Sequence, residues 1–469
     1  MLQSIKNAIA IPDLRSRLLF TLVALLVFRI GSFVPCPFVS VSNIKESMGG
    51  MMGQLFGVAD MFTGGAFSKM TVMSLGIMPY ITASIILQLL MPVWPRLEKI
   101  SKEGEAGRRK ITQWTRYGTV VLALVQGFGL GLFMISQPEW ITPFMREAKA
   151  IFLITTMLSI AAGTTFLMWL GEKITEKGVG NGISLLIAVG IMAHYPPSIK
   201  ASIQNIKLEA VPAIWGLIVI FLCIVTTLAI ILIQEGARKI PIQHAKQAVG
   251  RKVQVGQTNY LPLKVNTAGV MPVIFSTAIL TLPPTLFGWL GSTGGQMGFL
   301  GEFFAHSSSY NLYNAFGIKK ESIFLLLKAA NMYTLLYVLL TGFFCFFYTA
   351  MVFNPADVAD NLRRVGAFVP GYRPGKPTAD YIDRVMSRIT VVGALFLITV
   401  SIIPQLLMVA FNLPFQMAEF AGGTGLIIVV AVVLDTMKQI ESRMLMKHYD
   451  GFKSRRSMTG ARKWAERQA

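Results

Sequence analysis

Charge is scarce in this chain. Asp, Glu, Lys and Arg make up 14% of its 469 residues, against about a quarter in soluble domains. That excludes an ordinary water-soluble domain over most of the length. Cysteine is nearly absent. Cys36, Cys223 and Cys345 lie far apart, which gives no disulfide framework and no metal-ligand spacing. The four histidines, His194, His244, His306 and His448, are equally scattered. There is no H-E-x-x-H, no G-x-S-x-G elbow and no P-loop. No catalytic residue, metal site or cofactor is therefore expected, and a lipid-modifying enzyme finds no catalytic cluster. Ionisable groups inside the apolar runs are also rare. Arg29 and Asp435 stand out, and structural roles suffice for both. A secondary transporter for a small solute predicts an intramembrane carboxylate, and no convincing one is present.

What is abundant is apolar sequence, at 53%. About 20 apolar residues span a bilayer as a helix. Ten such runs are found, at 18–37, 70–91, 116–137, 150–170, 180–195, 212–234, 265–290, 331–353, 389–410 and 422–438. The fifth is short enough to be tilted or partly re-entrant. The net charge of +20 is unevenly placed. With ten spans, 33 of the 43 Lys and Arg fall on one side, counting Arg116 at the edge of the third run. The positive-inside rule assigns that side, with both termini, to the cytoplasm. Arg15 and Arg17 precede a run that continues as a full span, so the first span is expected to serve as its own insertion signal.

Ten spans divide into five and five, and an odd number per half inverts the second half. Gly76-Ile77-Met78-Pro79-Tyr80-Ile81 and Gly269-Val270-Met271-Pro272-Val273-Ile274 are nearly the same hexapeptide, 193 positions apart. They fall in the second and seventh runs, the second of each half. Gly and Pro are expected to interrupt both helices. Paired interruptions point to a transport path, although chance repetition of two common residues remains the alternative. Residues 196–211 read as an external hinge linker containing Pro196 and Pro197.

The stretch 57–70 is too short to span and too apolar for a free loop. A re-entrant or interfacial segment is expected, with a surface loop as the alternative. Two large cytoplasmic loops, 235–264 and 354–388, are basic and rich in turn residues. In the first, Lys252-Val253-Gln254-Val255 alternates as a hairpin strand does. The excess turn chemistry favours a docking surface for an acidic or RNA-bearing partner, while headgroup binding to anionic lipids would use the same charges. Isoleucine is concentrated in four runs, at Ile77, Ile81, Ile85, Ile183, Ile187, Ile274, Ile279, Ile427 and Ile428. Singly these suit packing; as a set they suit a dewetted constriction.

Several of these stretches resemble the SecY family of protein-translocase channel subunits. They are Asp60-Met61-Phe62-Thr63-Gly64-Gly65-Ala66, the first hexapeptide, Glu105-Ala106-Gly107-Arg108-Arg109-Lys110 through Tyr117, and Gly171-Glu172-Lys173-Ile174-Thr175-Glu176 with Gly180-Asn181-Gly182-Ile183-Ser184. Leu261-Pro262-Leu263-Lys264-Val265-Asn266 leads into the second hexapeptide. Phe353-Asn354-Pro355, Ala359-Asp360-Asn361-Leu362, Gly366-Ala367-Phe368-Val369-Pro370-Gly371 and Arg373-Pro374-Gly375 complete the set. Two features depart from the family: Asp60 where Asn is frequent, and a longer loop at 290–330.

The resemblance implies an all-α polytopic membrane protein with ten transmembrane helices in two inverted pseudo-symmetric halves of five, a clamshell channel. Residues 1–195 would form the N-terminal half and 212–438 the C-terminal half, followed by a basic cytoplasmic tail at 439–469. A pore ring maps onto Ile77, Ile81, Ile183, Ile187, Ile274 and Ile428. Residues 57–70 would be a plug, with its motif at Asp60, Met61, Phe62, Thr63, Gly64, Gly65 and Ala66. A lateral gate between helices 2 and 7 would involve Pro79, Ser84, Asn266 and Pro272. Arg251, Lys252 and Arg373 would dock the SecA ATPase motor or the ribosome. The implied function is non-enzymatic passage of unfolded secretory proteins across the bacterial inner membrane, with hydrophobic segments released into lipid. SecE and SecG are the implied membrane partners, SecDF and YidC the accessory ones. Signal sequences and nascent secretory or membrane chains would be the cargo.

Overall fold

A computed structural model describes residues 11–41, 44, 60–209, 211–244, 247–249, 252–254, 258–280, 332–411 and 413–465. A helix occupies each of the ten apolar runs. They are α1 (Pro12–Gly31), α2 (Met78–Val93), α4 (Glu105–Ile135), α5 (Lys149–Lys177), α6 (Gly182–Lys207), α7 (Ala213–Glu235), α8 (Met271–Leu280), α9 (Met332–Val352), α11 (Lys376–Phe411) and α12 (Gly423–Ala465). Two shorter helices, α3 (Pro95–Lys102) and α10 (Pro355–Arg364), lie between them. Among the described residues, seven helices are individually long and apolar enough to cross a membrane, and α2 with α3 adds a pair bent by 101°. The bend falls at Trp94, extended at φ −108° and ψ 107°, as expected of a residue held ahead of a proline.

Local sequence explains the helix starts. Asn181 caps α6, its side chain accepting from the amides of Ile183 and Ser184. Asn354 caps α10 in the same way, with Pro355 in the first turn, where a missing amide proton costs nothing. The hexapeptides correct the expectation of interrupted helices. Gly76 (φ +55°) and Gly269 (φ +65°) hold left-handed turns ahead of α2 and α8, and Pro79 and Pro272 sit at the second helical position of each. The repeat therefore sets two helix starts. Residues 71–77 and 265–270 are non-helical. The fifth run is also no half-span. α6 continues through Pro196 and Pro197 to Lys207, so the non-helical part of the expected 196–211 linker begins only at residue 208.

Helices α4 and α5 pack along each other, α2 lies on α4, α9 on α11, and α12 touches α6, α7 and α11. Contact between α12 and α6 joins the first five spans to the last five. Outward faces stay apolar: Leu217, Ile220, Phe221, Ile224, Leu228 and Leu232 of α7 are all more than half exposed. Such a face suits lipid and not water. The hairpin expected at 252–255 is present over Lys252–Gln254, paired with Gln247–Val249.

A second, longer pairing joins β1 (Ala237–His244) to β4 (Thr258–Lys264), and β1 also pairs with β5 (Ala367–Phe368). The two basic loops thus share one sheet, ordered β4-β1-β5. Its underside (Ile240, Leu263 and Val369) packs on Ile382, Val385 and Met386 of α11. Close helix contact elsewhere depends on missing side chains. A Cβ on Gly182 would stand 2.0 Å from the Gly171 carbonyl oxygen. Gly182→Ala is expected to force α5 and α6 apart and to lower stability by about 1–3 kcal/mol, read as a reduced thermal midpoint in detergent.

Candidate functional site

The six ring isoleucines come from the starts of four helices. Ile77 caps α2 and Ile81 follows one turn later; Ile183 and Ile187 occupy the first turns of α6; Ile274 lies in α8 and Ile428 in α12. All belong to one packed cluster. Five are buried, between 0% and 7% exposed, while Ile183 is half-buried against them. Ile85 joins the same cluster and Ile279 packs on it. Ile427 does not: it faces the neighbouring core with Val273, Leu397 and Val400. One turn of α12 therefore divides adjacent isoleucines between waist and scaffold.

Residues 57–59 of the expected plug lie outside the described residues. The remainder, 60–70, folds against the waist, with Met61, Phe62 and Ala66 inside the same cluster. The segment holds its shape through its own polar groups. Oδ1 of Asp60 accepts from the Ser68 amide at 2.8 Å, Oγ1 of Thr63 accepts from the Phe67 amide, and the Asp60 carbonyl accepts from the Gly65 amide. Gly64 (φ +68°) meets Gly190 of α6, where a Cβ would lie 3.0 Å from the Gly190 Cα. Two glycines in contact let this backbone lie directly on α6.

Arg29 closes the arrangement. Its Nη1 donates to the Gly64 carbonyl at 2.8 Å, and its guanidinium lies 4.8 Å from the centre of the Phe33 ring. Lys69, within the same segment, also lies over that ring, its Nζ 3.9 Å from the centre. The charge in the first span is thus a tether for the 60–70 segment, a role that sequence alone leaves undetermined.

The gate positions are placed differently. Pro79 is buried at the start of α2, and Oγ of Ser84 accepts from the Gln88 side-chain amide at 3.0 Å. The Pro272 carbonyl accepts from Oγ of Ser276. Asn266 is buried, and its Nδ2 donates to Oε1 of Gln234 and to the Gly269 carbonyl, each at 3.0 Å. Its amide is thus engaged within the last five spans. Gln234, in the final turn of α7, was not marked by any sequence motif.

Of the docking positions, Arg251 lies outside the described residues and Lys252 begins the Lys252–Gln254 strand, opposite Val249. Arg373 is exposed at the tip of a turn between Gly371 (φ +87°) and Gly375 (φ +105°). Its carbonyl accepts from Oγ1 of Thr378 at 2.7 Å, and the preceding Tyr372 stacks on Tyr381 with ring centres 4.2 Å apart. The arginine is held out from a rigid turn on the shared sheet.

A family model described as SecY matches residues 71–437. The chain belongs to the SecY family. Protein translocase subunit SecY of Escherichia coli (strain K12) is 42% identical over 458 residues, covering 98% of this chain and 97% of that one. A solved SecY structure whose plug domain stabilises the closed state and maintains a membrane seal covers 91% of this chain and 92% of that one, at a TM-score of 0.59 and 19% identity. Sec61 in the canine ribosome-channel complex matches over 91% of this chain and 92% of that one, at 0.56 and 18%. At such identities the two structures establish the shared channel fold. In SecY terms, the cluster described above occupies the junction of the two halves.

If Arg29 tethers the segment, Arg29→Ala removes a charge-assisted bond. A maleimide should then label Thr63→Cys, buried in the native chain, about tenfold faster.

Proposed function

We propose that this chain seals and opens its channel by separating the isoleucine waist, with residues 57–70 as plug and α2 and α8 as the two sides of a lateral gate. The chain is a channel subunit for protein translocation and a multi-pass protein of the bacterial inner membrane. The observation that carries the mechanism is the single cluster that joins isoleucines from α2, α6, α8 and α12 to Met61, Phe62 and Ala66. Apolar side chains of this kind exclude water and ions when packed and have no fixed chemical preference. β-Branched isoleucine is stiff at its first torsion, so the waist keeps its shape until a polypeptide parts it.

The seal and the gate share their moving parts. Residues 76–81 and 269–274 start the two gate helices and also supply Ile77, Ile81 and Ile274. A signal sequence that parts α2 from α8 would pull the waist open and deprive the plug of its seat. The Gln234–Asn266 pair would hold the start of α8 to α7, so that α8 moves with the last five spans. No catalytic step is involved, and both termini lie in the cytoplasm.

The shared β4-β1-β5 sheet supplies the cytoplasmic docking surface. Arg238, Lys239 and Arg373 are exposed on it and on its adjoining turn, a basic surface suited to the SecA motor and to the ribosome. SecE and SecG complete the membrane complex, with SecDF and YidC as accessory partners. Anionic lipids would meet the remaining basic residues. A solute transporter is disfavoured: among the described residues, no carboxylate is buried within the ten spans.

Three outcomes test this reading. A photo-cross-linker at position 274 should capture a stalled secretory chain; failure to capture one refutes the waist. Ile274→Asn or Ile428→Asn should hydrate the waist and raise ion leak through the purified translocase in vesicles, and an unchanged leak counts against it. Arg373→Glu reverses a docking charge and should abolish most motor-driven translocation while leaving the complex assembled.

A further inference from the structure

The connection between α11 and α12 contains a carboxylate that the channel reading does not use. Glu419 begins a single turn, Glu419–Ala421. It is 6% exposed, and among the described residues neither carboxylate oxygen has a hydrogen-bond partner. Leaving a buried charge unpaired is costly, and burial accordingly pushes the carboxyl up to about 7. The nearest basic atom, Nε2 of His194 on α6, is 3.9 Å from Oε2, beyond hydrogen-bond range.

This contact lies where the two halves meet beside the 60–70 segment. The adjoining Tyr195 of α6 packs against Phe420 with ring centres 5.3 Å apart. Asp60, at the head of the segment, is within electrostatic reach of His194. Cys223 of α7 and the Tyr195 hydroxyl are the other titratable groups in reach. The neighbouring stretches of α11 and α12, residues 389–411 and 423–434, contain no titratable residue. Among the described residues the cluster is thus Glu419, His194, Asp60, Tyr195 and Cys223, with no lysine or arginine placed to neutralise the buried carboxyl.

We propose that Glu419, set against His194 and Asp60, is a proton-dependent latch: protonated, it lets the last five spans close on α6 and the plug; ionised, it draws water into that contact and loosens the seal. The proposal rests on reading 57–70 as the plug and this side of the protein as external. The sign follows from linkage. A hydrated glutamate has its ordinary value near 4.5, and the closed arrangement raises it. Closure is favoured fully below that ordinary value. It loses this advantage as external pH rises towards about 7, and changes no further above it. The closed-to-open ratio can shift by roughly two orders of magnitude across that window.

The test uses the complete translocase in vesicles, with ion leak measured while the pH facing the α11–α12 connection is varied from about 5 to about 8 across the linkage window. Wild-type leak should rise at least about tenfold, and the isosteric Glu419→Gln should stay low and flat. A flat wild-type profile, or the same rise in Glu419→Gln, overturns the latch. Labelling of Thr63→Cys, normalised to the denatured chain at each pH, gives a second measure with Glu419 intact; it should rise over the same window, and a flat profile again overturns the latch. Arg29→Ala separates the two ideas. A leak unchanged by Arg29→Ala sinks the plug reading, whereas a raised but pH-independent leak sinks the latch alone.

Discussion

The structure depends on one apolar contact: isoleucines from α2, α6, α8 and α12 closing on the 60–70 segment. A membrane channel for polypeptides must exclude ions while holding no chemistry that would trap its cargo. Packed aliphatic side chains meet both demands, because they resist water without forming directed bonds. The polar groups of the segment that closes this waist are satisfied elsewhere. Asp60 and Thr63 bond within the segment, and Arg29 takes the Gly64 carbonyl. Buried backbone at membrane depth requires such partners, so the tether and the internal bonds are conditions for an apolar seal.

In the proposed mechanism the same contact couples seal to gate. Gly76 and Gly269 turn the chain into α2 and α8, and the ring residues follow within one or two turns. A displacement of either helix start therefore moves the waist directly. Beneath it, on the basic side, the paired loops form one sheet that rests on α11. A partner pressing on that sheet pushes a helix that packs on α9 and α12. The proposed docking surface and the proposed waist are connected through α12, which carries Ile428.

Much of this was legible along the chain. Ten apolar runs, the five-plus-five register and the charge asymmetry required only composition and period. The family resemblance implied a ring of six isoleucines, and in the fold these six share one packed cluster. Other readings failed for physical reasons. Gly and Pro within an apolar run predict a broken helix, but at the first turn Pro is tolerated and Gly supplies the entering turn. Pro196 and Pro197 did not end α6. Ile427 and Ile428 looked alike in sequence and face different cores.

The sequence by itself determined where the chain enters lipid, which side is basic and which helices carry isoleucine, because these follow from residue type and spacing. Tertiary structure alone decided the long-range partners. Arg29 meets Gly64 across 35 residues, β1 meets β5 from a separate loop, and Gln234 meets Asn266. Glu419 meets His194 from the far half. No local pattern encodes such pairs, since each depends on how two helices cross. The two hexapeptides show the division: their repetition was visible in sequence, and their role as twin helix starts required the fold.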